Sequence, residues 1–329
     1  MKDRRKVAVV GANGHTGRFV VGALKDKGLT PVGITRRPVA LDCEEAKVAD
    51  INDPDALDAA LEGTSAVINC AGPFLDTSRP VVEAALRAAI YYLDLTAEQA
   101  AVQEIARGYD RRAELAGVVV MPAIAFFGGL ADLLASAIAS DWTDVDEIDV
   151  GVALAYWHPT QGTRRTGARN TFTRLIVRDG KLVPVPNPPP YCQWEFPQPF
   201  GPTEVSCVPL SEVITISRHM RVSNLTSYMN NKPLQDLKDP NTPPPSAAPA
   251  GERSGQHFVM DVKARRNSEI RTARATGNDI YAVSAPLIAE ACWRLLSAQH
   301  RSGVRSPGEL FDAQNFLASL THGIVVDYF

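Results

Sequence analysis

The segment Gly11-Ala12-Asn13-Gly14-His15-Thr16-Gly17 carries the plainest chemical signal in the chain. It follows the apolar run Val7–Val10 and precedes a stretch with Phe19, Val20, Ala23 and Leu24 on one helical face. Gly11 permits a sharp exit from a strand. Gly14 removes a side chain where a pyrophosphate must approach the backbone, and Gly17 lets the helix pack closely. The first amides and the positive end of that helix then face the phosphates. The spacing is GxxGxxG, not GxGxxG, so its weight comes from the strand before and the helix after; without them it reads as a connecting turn. Arg36 and Arg37 stand nineteen and twenty residues after Gly17, and no acid follows until Asp42. An acid at that place binds the ribose 2′-hydroxyl of NAD, whereas a cation suits a 2′-phosphate. Two guanidinium forks match a phosphate in charge and shape, which predicts NADP(H) in preference to NAD(H). The alternative is two solvated arginines at a strand end.

Two further segments fit a dinucleotide. Asp50-Ile51 closes a short strand where the adenine would lie, and Cys70-Ala71-Gly72-Pro73 places small residues where the nicotinamide ribose would pass. Hydride transfer needs proximity and a dry site, and reduction of C=O or C=N also needs a proton donor. His158, Tyr156, Asp132 and Tyr281 are the candidates near the expected domain junction. His158 ends a strand and titrates near neutrality as imidazole. Each candidate also has a structural reading: a satisfied core histidine, packed tyrosines, a helix-capping aspartate. For substrate, Thr163, Arg164 and Arg165 follow Gly162 in an acid-free segment that could bind an anionic group or present a solvated basic face. Phe127 and Trp194 are the apolar candidates. Trp194 lies in a proline-rich stretch, 185–202, with Tyr191, Phe196 and Phe200, which reads as an ordered flap and a substrate lid. Tyr228 and Lys232 match a Tyr-xxx-Lys spacing by coincidence. No nucleophile triad, P-loop or metal-ligand spacing appears.

The elements that must position these groups are regular at first. Apolar runs at 6–10, 31–35, 47–51, 66–69, 91–95 and 118–121 alternate with helical patterns, as in a doubly wound parallel sheet. After residue 125 the pattern changes to strands at 148–156, 175–183 (an Asp-Gly hairpin), 213–218, 258–264 and 269–275. Helices are expected at 129–140, 282–297 and 307–320. The expected organisation is an α/β Rossmann-type domain over 1–125, a mixed β-rich α+β substrate domain over 126–276, and C-terminal helices over 277–329 that return to the junction.

The chain has 329 residues, with 34 Lys+Arg against 37 Asp+Glu, a net charge of −3. That balance argues against nucleic acid or an anionic membrane as the main partner. The apolar stretch 118–139 is broken by Pro122 and Gly128-Gly129, so it is not expected to span a membrane. Five cysteines without CxxC spacing fit a reduced, cytoplasmic compartment. Sixteen of the 24 prolines lie between residues 126 and 280, twelve of them in the stretches 185–202 and 239–251. The apolar C-terminus, 323–329, could pair with a partner chain in a homodimer or pack on its own domain.

Three segments together resemble the saccharopine dehydrogenase-like NAD(P)-dependent oxidoreductases, a family with saccharopine reductases and trans-acting enoyl reductases. They are Val7–Gly17, Asn69-Cys70-Ala71-Gly72-Pro73-Phe74, and Tyr92-Leu93-Asp94-Leu95-Thr96-Ala97-Glu98. Gly277-Asn278-Asp279-Ile280-Tyr281, Gly303-Val304 and Ser306–Phe311 extend the likeness. Ala97 replaces a glycine of the family pattern, and Ala123–Asp132 carries Phe126-Phe127 where the family has a Gly-Phe-Asp type segment. The resemblance implies an NADPH-dependent reductase acting on a C=C, C=O or C=N bond of a small or medium substrate. The apolar replacement departs from an amino-acid pocket. A non-catalytic NADP(H) sensor and an enoyl reductase for carrier-bound chains remain open alternatives.

Overall fold

The computed structural model describes residues 6–245, 253–320 and 323–329. The charged start at 1–5 and the end of the second proline-rich stretch lie outside them. The first half alternates strand and helix: β1 (Lys6–Val10), α1 (His15–Asp26), β2 (Thr30–Thr35), β3 (Glu45–Val48), α2 (Pro54–Leu61), β4 (Ala66–Asn69), α3 (Phe74–Ala88), β5 (Tyr91–Asp94), α4 (Gln99–Ala116) and β6 (Val119–Met121). Local chemistry sets these bounds. Asp53 caps α2 by accepting from the Ala56 amide, and Gly117 ends α4 with a left-handed φ of 67°. β1 and β4 are buried almost throughout because helices cover both faces of the sheet.

The second half contains α5 (Gly129–Ala139), β7 (Val145–Leu154), α6 (Gln161–Arg169), β8 (Leu175–Arg178), β9 (Lys181–Pro184), β10 (Tyr191–Glu195), β11 (Pro202–Cys207), α7 (Ser211–His219), β12 (Val222–Asn230), α8 (Asn231–Lys238), β13 (His257–Arg266) and β14 (Glu269–Asn278). The chain closes with α9 (Ser284–Ser297), β15 (Gly303–Val304), α10 (Pro307–Leu310), α11 (Ala313–Ala318) and β16 (Ile324–Tyr328).

Two sheets result. The first has seven parallel strands in the order β15-β6-β5-β4-β1-β2-β3. Its order reverses between β1 and β4, and a ligand crevice opens at the carboxyl ends there. The second has nine strands, seven of them in the order β10-β11-β12-β7-β13-β14-β16. It is mixed: β12 and β7 run parallel, whereas β13 is antiparallel to both β7 and β14. Helix α5 joins the halves and is buried at every position, because all its residues but Asp132 and Ser136 are apolar or glycine and it is packed on every side.

Several expectations needed correction. The run 213–218 is helical, in α7, although Val213, Ile214, Thr215 and Ile216 favour strands locally. Val213 and Ile216, three apart on one face, enter the main core, while Ile214 turns toward Val102 and Ala123. Burial on two sides overrides propensity. The stretch 307–320 splits at Phe311, which is extended, and Asp312 caps a new helix through the Asn315 amide. The proline-rich stretch 185–202 holds β10, the edge strand beside β11, where missing amide donors do least harm. The last segment is not only helical: β15 joins the first sheet and β16 the second. Strands β11 and β12 and helices α6 and α8 were not anticipated.

Candidate active site

The glycine segment forms a tight cradle between β1 and α1. Gly11 has φ 78°, its amide donates to Ile34 O (2.9 Å), and the Gly14 amide donates back to Gly11 O (2.9 Å). A Cβ on Gly17 would overlap the Gly11 carbonyl oxygen, and one on Gly11 would press on Ala71. Gly14 is the N-cap of α1, so no side chain caps that helix, and its first turn holds no acid. The amide end of α1 is thus left to an anion, which fits a dinucleotide pyrophosphate. Ala12 is buried behind the loop, and Asn13 is exposed on it. Thr16 reaches the adjoining cavity. His15 packs its ring edge-on against Tyr281 (centroids 5.3 Å apart), and its buried Nε2 has no partner. Burial holds the His15 imidazole below its usual pKa, against the pull of Asp279. Arg36 and Arg37 are exposed at the end of β2, and among the described residues no hydrogen bond or ion pair holds either guanidinium. Asp50 is exposed and accepts from the Asn52 amide (2.9 Å), while Ile51 packs half-buried beside it.

A cavity of about 370 Å³ opens beside this cradle. Cys70 and Gly72, after β4, form one wall, and Gly72 precedes a cis bond to Pro73. Ala71, the cradle's neighbour, is fixed by the Asn69 side chain (3.0 Å). Burial pushes the Cys70 thiol up, so it stays protonated. Phe127 stacks on Trp157 at 5.4 Å to form an apolar wall. The Tyr281 hydroxyl is a hub: Trp157 Nε1 donates to it (2.8 Å), and it shares a hydrogen bond with Thr163 Oγ1 (2.9 Å). Burial raises its pKa. Helix α6 roofs the cavity through Gly162, Thr163, Arg164 and Thr166. Thr160 caps that helix, and Arg169 latches it to Asp76 of α3 (3.0 Å). Arg174, exposed at the rim, lines the cavity, and among the described residues its guanidinium has no hydrogen-bond or ion-pair partner.

A further cavity residue was not singled out from sequence. Glu98 is 1% exposed, and its Oε2 accepts from the Phe74 amide (2.8 Å). Its Oε1 is buried without a partner. Burial chiefly raises its pKa to about 7; the Phe74 hydrogen bond opposes the shift, and the charge of Asp94 adds to it. The same segment builds the support. Asp94, fully buried, accepts from the Ala123 amide (2.8 Å), the Thr96 amide (2.9 Å) and the Tyr92 hydroxyl (2.7 Å). Thr96 Oγ1 then accepts from the Glu98 amide (3.1 Å). Ala97 keeps an ordinary negative φ, so the missing glycine costs nothing there. The one sequence signal for Glu98 was its place in that motif.

Comparison with known proteins agrees with this geometry. The family model "Saccharopine dehydrogenase NADP binding domain" matches residues 7–121. A probable mitochondrial saccharopine dehydrogenase-like oxidoreductase of Arabidopsis thaliana is 28% identical over 158 residues. That match covers 41% of this chain and 35% of the relative, so it spans about a third of the relative's length. The apo saccharopine dehydrogenase (L-Glu forming) of Saccharomyces cerevisiae shares the fold, with a TM-score of 0.63 and 12% identity over 99% of this chain and 100% of that one.

Of the residues expected to do chemistry outside the NADP binding domain, only some meet at the cavity. Phe127, Thr163, Arg164 and Tyr281 line it. Arg164 is partly committed, since it donates to Thr242 O (2.7 Å). Arg165 points to solvent, on the outer face of α6. His158 and Tyr156 pack against each other with tilted rings (centroids 4.4 Å apart) in a second cavity of about 570 Å³ behind Tyr281. They turn there because the chain after β7 crosses over Tyr281, whose hydroxyl meets the His158 carbonyl (3.4 Å). Asp132 is a joint: its Oδ1 meets His219 Nε2 (2.6 Å), and its Oδ2 accepts from the Gly308 amide (2.7 Å). Trp194 is not in the cavity. It packs on Gly151, where a Cβ would collide with the indole, and donates to Asp261 (3.1 Å). Gly151 and Ala153 alternate along β7 with the core-facing Val150, Val152 and Leu154, so Trp194 lies on the sheet's outer face. The stretch 185–202 is therefore not the lid; α6 holds that place. Tyr228 and Lys232 also lie outside the cavity, and Lys232 pairs with Asp236. Among the described residues no metal-binding cluster occurs, and no helix is long and apolar enough to cross a membrane.

Proposed function

We propose that this protein is an NADP(H)-dependent oxidoreductase that moves hydride between the nicotinamide and a C=O, C=N or activated C=C bond. Its substrate has an apolar body and an anionic end. The observation that carries this reading is a shared wall. Thr16 of the cradle and Cys70 and Gly72 of the switch-point crevice also line the mostly apolar cavity. When bound, NADPH supplies hydride at the nicotinamide C4. Gly11, Gly14 and Gly17 let its pyrophosphate reach the backbone, and Arg36 and Arg37 hold the 2′-phosphate. Phe127 and Trp157 receive the apolar body and keep water out, while the unpartnered Arg174 takes the anionic end. The family match supports the cofactor, and the relatives' names support dehydrogenase chemistry on amino-acid-derived carbon skeletons.

Calorimetric titration tests the reading. NADPH should bind with at least about tenfold higher affinity than NADH, the margin of one charged hydrogen bond. Absence of NADPH binding, or equal affinity for the two, overturns the reading.

A further inference from the structure

The cavity needs a group that can give and take a proton, and most of its polar side chains are already engaged. The Tyr281 hydroxyl accepts from Trp157 and is shared with Thr163. The Cys70 thiol is held protonated by burial. Thr160 and Thr163 bond each other (2.9 Å). His15 lies in the cradle, against the cofactor's path. Glu98 differs from all of these. It stands in the cavity wall, 1% exposed, held at Oε2 by one backbone amide, with Oε1 buried and unpaired. An unpaired buried carboxylate oxygen costs several kcal/mol in solvation, and a proton on that oxygen removes the cost.

We propose that Glu98 is the catalytic acid and base of this site, giving its proton to the oxygen of a substrate carbonyl as the carbonyl carbon takes hydride. This rests on the oxidoreductase reading above and narrows the substrate to a carbonyl compound. The step balances. The carbon gains hydride from NADPH, which becomes NADP⁺; the C=O π bond breaks, and its oxygen takes the Glu98 proton. The product is an alcohol, and the Glu98 carboxylate regains its proton from water. In the reverse direction the carboxylate removes the alcohol proton.

The surroundings suit the exchange. Asp94 from β5 and Asp76 from α3 are the acids that face Glu98 and favour its protonated form. Cys70 after β4 is uncharged, and the cations lining the cavity are Arg164 of α6 and Arg174, before β8. Burial and these acids hold the carboxyl at about 7, where it is ready both to give and to accept a proton. The Phe74 amide fixes Oε2, which orients Oε1, and that bond ties the carboxyl to the cis-proline turn of the cofactor crevice.

The test uses the full chain and its Glu98→Gln and Glu98→Asp variants. NADPH binding is measured first by calorimetry, and its absence in the unaltered protein would sink the oxidoreductase reading by itself. Turnover is then followed with 2-oxo-4-phenylbutanoate, a ketone with an aromatic body and an anionic end. The expected kcat is constant below about pH 7 and falls above it. Glu98→Gln should lower kcat on the order of 100-fold and abolish the break in the profile. Its NADPH affinity and KM should stay within roughly twofold, because an amide oxygen can still accept from Phe74. Glu98→Asp should restore a break, displaced in pH. Infrared titration supplies a readout without turnover: a protonated-carboxyl band that vanishes with a midpoint near 7 and is missing in Glu98→Gln. Three results would each overturn the proposal: unchanged kcat and pH break in Glu98→Gln, no such infrared band, or a protein that binds NADPH yet leaves the oxo acid unreduced.

Discussion

Glu98, at the head of α4, and Asp132, in the first turn of α5, are both buried acids close to where the two sheets meet. Their surroundings differ in one respect. Asp132 has a partner on each oxygen, the His219 imidazole and the Gly308 amide. Glu98 is held on Oε2 by the Phe74 amide, and its Oε1 is buried in the cavity wall without a partner. Full satisfaction turns a buried charge into a pin between elements; partial satisfaction leaves a proton site whose occupancy follows pH. The pKa shifts follow. Burial lowers the His219 imidazole, but the Asp132 charge and hydrogen bond more than offset that and raise it. Glu98 is raised by burial, and the charges of Asp94 and Asp76 add to the rise.

The largest effect expected from this contrast is on stability. Asp132→Ala strands His219 and the Gly308 amide, and should cost about 3–5 kcal/mol in denaturant unfolding near pH 6. Because His219 titrates above its ordinary 6.5 in the folded chain, the pair's contribution is full below that value. It fades as pH rises through the raised one, so the loss should shrink toward pH 9. A loss below about 1 kcal/mol at pH 6 would break the comparison.

Glu98→Gln should act with the opposite sign. The folded chain protonates Glu98 more readily than the unfolded chain does, so ionising it opposes folding. That penalty is absent below the ordinary 4.5, grows as pH rises and is complete above about 7. The variant should therefore match the parent near pH 4.5 and exceed it at pH 8 by at most about 3 kcal/mol. Thermal melts across that range check the sign.

Away from the junction, Arg36→Ala with Arg37→Ala should weaken NADPH binding by about 1.5–3 kcal/mol and leave NADH unchanged, as read by competition titration. The smallest expected effect is that of Tyr281→Phe. It removes the acceptor of Trp157 Nε1 and the Thr163 contact, and should cost about 1–2 kcal/mol of stability. A kcat loss as large as that of Glu98→Gln would move the acid–base role from Glu98 to Tyr281.

The first half of the fold was legible because each of its elements is set locally. Apolar β-branched runs, a glycine turn, an Asp53 cap and a Gly117 stop lie next to one another in the chain. The second half was harder. Strands β10 to β12 pair across loops, and α7 is a β-branched segment made helical by cores on two of its sides. Of the expected site, the cradle and Phe127, Thr163, Arg164 and Tyr281 come together, whereas Asp132, His158, Tyr156, Arg165 and Trp194 face elsewhere. Residue type marked these side chains as capable of chemistry, but direction depends on strand alternation and helix phase set by distant partners.

By itself the sequence determined the dinucleotide cradle and the doubly wound sheet, since glycine spacing and strand–helix alternation are properties of neighbouring residues. The tertiary structure alone decided which acid is available. Whether a carboxyl is paired depends on groups such as His219 and Gly308, 87 and 176 residues from Asp132. It depends equally on the absence of such a partner at Glu98 Oε1. Burial and hydrogen bonding across that distance are fixed only when the chain has closed.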